Sequence, residues 1–331
     1  MRTSSTWGHL VALVLGLAAL VSLALLAFAW PALNAAPRDV PLAIAAPAPV
    51  VAELEQNVRS NAEGAFDVTT VADRAAAVAA VEDREVYGAL VVGPQGAEVL
   101  TASAASPAVA QLLTDVAGRL GDSQGAAVQV SDVVPLPADD PRGVGLAAGA
   151  LPLVLGGIAT ASALRMRVPQ PGRRVAGVLG SGVVGGTAMM VAILRGLGVL
   201  EGNFWASIAV VALAITATAA ALLGLEHVAG LPGMVLGGAT VLLLGNPLSG
   251  LTGAPELLPA GWGDLGQLLP PGAAGTALRS AAYFDGAGAG APLLVLGAWL
   301  AVGLVLMVLP VRRRPAVPVA AATPEPSAVA R

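Results

Sequence analysis

Residues 10–30 read LVALVLGLAALVSLALLAFAW, twenty-one positions without a charged side chain. A helix rises about 1.5 Å per residue and a bilayer's hydrocarbon core is about 30 Å thick, so about 20 apolar residues cross it. Trp7 and Trp30 bracket the run as interfacial anchors do. The competing reading is a cleaved signal peptide, with a cleavage site in the alanine-rich stretch after Pro31. Such a peptide has an apolar core of about 7–15 residues, so an uncleaved span is expected.

Working outward, further apolar runs at 144–164, 175–194, 205–224, 228–246 and 291–310 predict five more spans. The fourth and fifth are joined only by a few residues around Glu226 and His227. Arg2 precedes the first span, Arg165, Arg167, Arg173 and Arg174 separate the second from the third, and Arg312, Arg313 and Arg314 follow the last. Arginine concentrates on the cytoplasmic side of membrane proteins. Six crossings reconcile all three places, with residues 1–9 and a Pro/Ala-rich, disordered tail at 311–331 both cytoplasmic. The fold class expected is a mainly α-helical polytopic membrane protein of about six transmembrane helices. A small α/β extracytoplasmic domain lies between its first and second spans.

Composition agrees. The chain is 56% hydrophobic and only 11% charged, against about 25% charged in soluble domains. Its bias toward Ala, Gly, Val, Pro and Arg looks like that of a GC-rich bacterial genome, and the location expected for the spans is the bacterial plasma membrane. The absence of cysteine excludes disulfides and zinc–thiolate sites. All 17 basic residues are arginine, so the lysine that a phosphate-binding P-loop needs is missing. Residues 31–142 hold six arginines against fifteen acidic residues, and the remainder eleven against six. That separation is a topology signal and suggests no nucleic-acid partner.

Residues 31–143 form the outer domain, entered and left through proline-rich joints. Alternation predicts strands at 40–46, 65–69, 86–92, 97–101 and 127–134. Helices are expected over 50–60, from a Thr70–Asp73 capping box through Val81, and after Ser106–Pro107. Glu82, Asp83 and Glu85 read as a solvated helix end. Residues 247–290 contain apolar pieces too short to cross, broken by prolines, and read as a re-entrant outer loop. Arg279 sits in it, where it could snorkel, pair with Glu256 or Asp285, or face a substrate headgroup. Gly145 and Gly149, Gly182 and Gly186, and Gly233 and Gly237 have the spacing of close helix packing or a dimer seam, the alternative being a glycine-lined substrate path.

The layout of one span, an α/β domain and five more spans resembles the ABC-2-type exporter permeases and the YhgE/Pip (phage infection protein) membrane proteins. Local text carries the same resemblance. Residues 83–92 (DREVYGALVV) look like the approach to a central strand of that outer domain. Asn246-Pro247-Leu248-Ser249-Gly250, Pro255-Glu256-Leu257-Leu258-Pro259, Leu269-Pro270-Pro271-Gly272, Leu278-Arg279-Ser280 and Tyr283-Phe284-Asp285-Gly286 look like the external re-entrant region before the last span. The resemblance implies no catalytic residues and no cofactor. It implies a homodimer or heterodimer, with energy from a separate ATP-binding cassette subunit. The chain departs from the pattern in having only about nine residues before the first span and a short loop at Arg165–Arg174.

The leading expectation is therefore a permease-like export component for a hydrophobic or amphipathic substrate. Asn246, Pro247, Glu256, Arg279 and Asp285 are its candidate transport-loop residues. Arg165, Arg167, Arg173, Arg174, Glu226 and His227 are candidate contacts for a cytoplasmic partner. The alternative is a non-transporting surface-binding or scaffold protein anchored by the same spans. An intramembrane enzyme is disfavoured. Its only histidines are His9 and His227, and neither has the convergent partners that metal or acid–base chemistry needs.

Overall fold

The computed structural model describes residues 7–94, 96–125, 127–197 and 202–310. Arg2, Arg312–Arg314 and the tail at 315–331, on which part of the orientation reading rests, lie outside them.

After α1 (Trp7–Leu33), the chain builds a small domain in the order β1 (Val40–Ala45), α2 (Ala48–Asn61), β2 (Phe66–Thr70), α3 (Arg74–Glu82), β3 (Gly88–Gly93), β4 (Gly96–Thr101), α4 (Pro107–Gln124) and β5 (Gln129–Asp132). The strands lie in the order β2-β1-β3-β4-β5. β1 runs parallel to β2 and β3, β3 and β4 form an antiparallel hairpin, and β5 runs parallel to β4. Strand alternation explains the two cores. Ala43 and Ala45 of β1 face Ala77 and Val81 of α3, while Val40 and Leu42 face Val109 and Leu113 of α4. Ser106 caps α4, its hydroxyl accepting from the Val109 amide at 3.2 Å. The expected Thr70–Asp73 box does not form. Thr70 ends β2, and Asp73 is itself the cap, accepting from the Ala76 amide at 2.8 Å.

The rest is helical: α5 (Val144–Arg167), α6 (Pro171–Leu197), α7 (Phe204–Ala239), α8 (Trp262–Gln267), α9 (Pro270–Tyr283) and α10 (Gly290–Val308). Five helical units are long and apolar enough to cross a membrane: α1, α5, α6, α7 with its extension to Gly245, and α10. The expected fourth and fifth spans both fall on the 42-residue α7 unit. That unit is not straight. Gly230 breaks it at φ 69°, ψ −158°, and Pro232 follows. A Cβ on Gly237 would lie 2.6 Å from Leu225 and 2.9 Å from Leu222. In a continuous helix, Leu222 and Gly237 would stand about 22 Å apart. α7 is therefore a hairpin whose second arm returns along the first.

The first arm is the axis of the bundle, with every residue from Ala214 to Gly224 buried. A helix apolar on all sides belongs in such a place. Small residues bring its neighbours close. Added Cβ atoms on Gly182 and Gly186 of α6 would meet the Ala212 backbone at 2.7 and 2.9 Å, and one on Gly303 of α10 would meet Ala220 at 2.4 Å. Gly149 faces Met189, and Gly233 and Gly237 face the first arm of their own hairpin. Gly182, Gly186, Gly233 and Gly237 thus serve packing within one chain. α1 differs: Leu13, Leu15, Leu23 and Leu25 are each at least 60% exposed.

The backbone at Gly230 lies in a region essentially closed to other residues, at a strain cost of about 1–3 kcal/mol. Gly230→Ala should lower thermal stability in detergent accordingly. Gly238→Ala, whose added methyl meets nothing within 4 Å, should leave it unchanged. Equal melting temperatures for the two variants would contradict the hairpin.

The segment after the hairpin is more ordered than an irregular loop. α9 buries twelve of its fourteen residues, nine of them Ala, Gly or Pro. It packs among α5, α7 and α10. At about 21 Å it is too short to cross a bilayer.

The chain thus has two poles. One carries the sheet domain, α8 and α9. The other carries the α5–α6 turn, the α7 hairpin turn and the end of α10, where the His227 ring meets the Leu309 carbonyl at 2.9 Å.

Candidate functional site

The sheet domain is not complete in itself. Phe284, beyond α9, is 6% exposed within the core of Ala43, Ala89 and Leu100. Ala254, 1% exposed, and Leu257 complete the opposite core beside Val40 and Val109. Backbone pairing joins the same parts: the Ala36 amide donates to the Leu257 carbonyl and the Arg38 amide to Glu256, both at 3.0 Å. The Arg38 guanidinium adds a bond to the Leu258 carbonyl at 2.8 Å. The boundary expected at residue 143 therefore misses two pieces of the domain's core, contributed by residues 254–257 and 283–287.

Arg84 is the centre of this joint. It follows the end of α3 with φ 60°, a position where glycine is usual. Its Nη1 donates to the Thr276 carbonyl at 3.1 Å and to the Ser280 hydroxyl at 2.5 Å. The guanidinium stands 5.2 Å from the centre of the Phe284 ring. Burial lowers its pKa from the usual guanidinium range, against the pull of Tyr87 and Glu256. The neighbouring Tyr87 hydroxyl donates to Glu256 Oε2 at 2.8 Å.

Burial, reinforced by Glu256, pushes the Tyr87 phenol well above its ordinary value. A raised folded-state pKa keeps the phenol neutral below the unfolded value of about 10, and stability is lost as pH rises beyond it. In a Tyr283→Phe variant, tyrosinate absorbance should therefore appear only together with unfolding. Titration of a folded chain near the ordinary phenol value would contradict this burial.

Arg84, Tyr87 and Glu256 line a cavity of about 410 Å³ with Gln267, Thr276 and Arg279. Arg279, on α9, is 4% exposed. Its Nη2 donates to the Leu251 carbonyl at 3.0 Å, while its buried Nε has no partner. It makes no ion pair with Glu256 or Asp285. Of the three roles open to it from sequence, direct pairing with those two acids is therefore absent.

The five expected loop residues thus divide. Glu256 and Arg279 line the cavity. Asn246 and Pro247 instead form the tight turn after the hairpin, where the Asn246 carbonyl accepts from the Ser249 hydroxyl at 2.7 Å. Asp285 is exposed and ends α9 in a left-handed conformation, φ 49°. Arg84, Tyr87, Gln267 and Thr276 were not singled out from sequence. Glu85, read as part of a solvated helix end, also borders the cavity.

At the other pole, Glu226 holds Arg174 Nη1 at 3.0 Å and Arg165 Nε at 3.4 Å. Arg174 also donates to the Val168 and Arg165 carbonyls at 2.6 and 3.3 Å. Four of the six candidate partner contacts, Arg165, Arg174, Glu226 and His227, are thus used within the chain. Arg167 and Arg173 are exposed. Among the described residues, no group of three or more His, Asp and Glu is placed to hold a metal ion.

Comparison with protein-family models, curated proteins and solved structures finds no match to this chain.

Proposed function

We propose that this protein is a permease-like export component of a bacterial plasma membrane, moving a hydrophobic or amphipathic substrate with energy from a separate ATP-binding cassette subunit. In this reading α1, α5, α6, the two arms of α7 and α10 make six crossings. The sheet domain lies outside and both termini lie inside. The pole carrying Arg165, Arg167, Arg173 and Arg174 is then cytoplasmic, in keeping with arginine placement.

The observation that carries the reading is the joint. Phe284 and Ala254 belong to the domain's cores, yet they flank α9, which is buried among the membrane-length helices. A displacement of α9 would be felt in the sheet domain and in the cavity between them. An anchored binding module needs only a tether, so this construction favours export over the surface-binding alternative. A second copy, if paired, would use surfaces other than the Gly182–Gly186 and Gly233–Gly237 faces already filled.

The test is pull-down of the tagged chain from its native membranes, followed by ATP-driven movement of a fluorescent amphiphile in proteoliposomes. Recovery of an ATP-binding cassette subunit and ATP-dependent movement are expected. Failure of both would leave the protein as a binding scaffold.

A further inference from the structure

We propose that the cavity at the joint seats the phosphate of a zwitterionic amphiphile, whose tail leaves along Leu268 and Val295. The claim deepens the export reading by naming a substrate class, and it rests on that reading only in treating the occupant as cargo.

Arg279 supplies the first ground. It is a guanidinium 4% exposed, with an unpartnered buried Nε and no ion pair among the described residues. Glu256 acts on it through space without pairing; a buried charge lacking a direct ion pair is costly, and an oxyanion offers the acceptors its planar fork requires. Arg84 is the second ground. It lines the same cavity and brings a like charge toward Arg279. An anion between the two would relieve both.

The acids decide what kind of anion fits. Three carboxylates line the cavity with the two arginines. Glu256 already accepts from the Tyr87 hydroxyl. Glu85 and Asp264 are exposed, so they stand where the cavity meets solvent. The two arginines and Glu256 lie at the less exposed end, a net positive charge, and the other two acids at the open one. A phosphate that also carries an amine matches this order, whereas a headgroup with a net negative charge meets repulsion at the rim. The apolar side comes from α10 and the end of α8. Leu268 is 60% exposed beside Val295, which suits a hydrocarbon chain leaving the site. A volume of about 410 Å³ holds a headgroup rather than a whole lipid.

The experiment uses the full chain purified in a nonionic detergent, with dihexanoyl phosphatidylethanolamine, dihexanoyl phosphatidylglycerol and inorganic phosphate as probes, read by native mass spectrometry. One phosphatidylethanolamine per chain should be retained in preference to phosphatidylglycerol. Arg279→Gln and Arg84→Gln should each weaken retention at least about tenfold. Arg119→Gln, on the exposed face of α4, should not change it. Should Arg279→Gln fail to fold, Asp264→Lys alters only the exposed rim and should shift preference toward phosphatidylglycerol. No retention by folded wild type, equal retention by folded Arg279→Gln, an unchanged preference in Asp264→Lys, or phosphate binding as tightly as the lipid would each overturn the proposal. Retention without ATP-driven movement would sink the export reading and leave the seat standing. Movement without retention would do the reverse.

Discussion

Phe284→Ala should loosen the sheet domain while leaving the helix bundle intact. Truncating a buried phenylalanine removes its burial and leaves a cavity, together about 3–5 kcal/mol. Phe284 is 6% exposed and packs on both Ala89 and Leu100 in the centre of the sheet. It also carries the Arg84 guanidinium at 5.2 Å. The loss therefore falls on the joint. Arg84 keeps a strained backbone at φ 60°, held by fewer contacts. Amide exchange in β1 and β3 should accelerate, whereas the first arm of α7, in a separate core, should keep its protection. Phe284→Leu, which refills most of the space, should recover most of the difference. Unchanged exchange in β1 and β3 of the alanine variant would show that the domain stands without its borrowed residue.

Much of this fold was legible because its causes are local. The run from Leu10 to Trp30 needs only its own composition to declare a helix of membrane-spanning length. Ser106 followed by Pro107 states a helix start within four residues, and the alternation in β1 separates its two faces without knowledge of either neighbour. What failed to show depends on distant partners. Phe284 reads as one aromatic in a glycine-rich loop, and nothing nearby reveals that its cavity is made by strands some 200 positions earlier. The glycine pairs reveal a close approach but not to what. Gly182 faces Ala212 in its own chain, and the same spacing would have served a second copy. Arg279 left three roles open because snorkelling, pairing and ligand contact differ only in where α9 sits. In the folded chain α9 buries Arg279, and no ion pair joins it to Glu256 or Asp285.

Glu226→Ala should be the most damaging single change at the opposite pole. The carboxylate sits between Arg174 at 3.0 Å and Arg165 at 3.4 Å, with side-chain exposures of 17% for Glu226 and 16% for Arg174. Its removal leaves two neighbouring guanidinium groups without their shared counter-ion. Breaking a mostly buried pair from one side costs about 3 kcal/mol, against about 0–1 kcal/mol for an exposed one. Arg174 keeps its bonds to the Val168 and Arg165 carbonyls, so the α5–α6 turn should survive. What is lost is its attachment to the α7 hairpin turn. Glu226→Gln retains an acceptor oxygen and should fall between wild type and alanine. Arg167→Ala and Arg173→Ala, both at exposed positions, should stay within about 0.5 kcal/mol of wild type. Thermal stability of the four purified variants checks the order, and a Glu226→Ala loss no larger than that of Arg173→Ala would refute it. The same set separates two roles that the arginine-rich loop presents together in sequence. If a cytoplasmic ATP-binding subunit docks here, Arg167→Ala and Arg173→Ala should reduce its recovery without lowering stability, because their charges are the ones the fold leaves unspent.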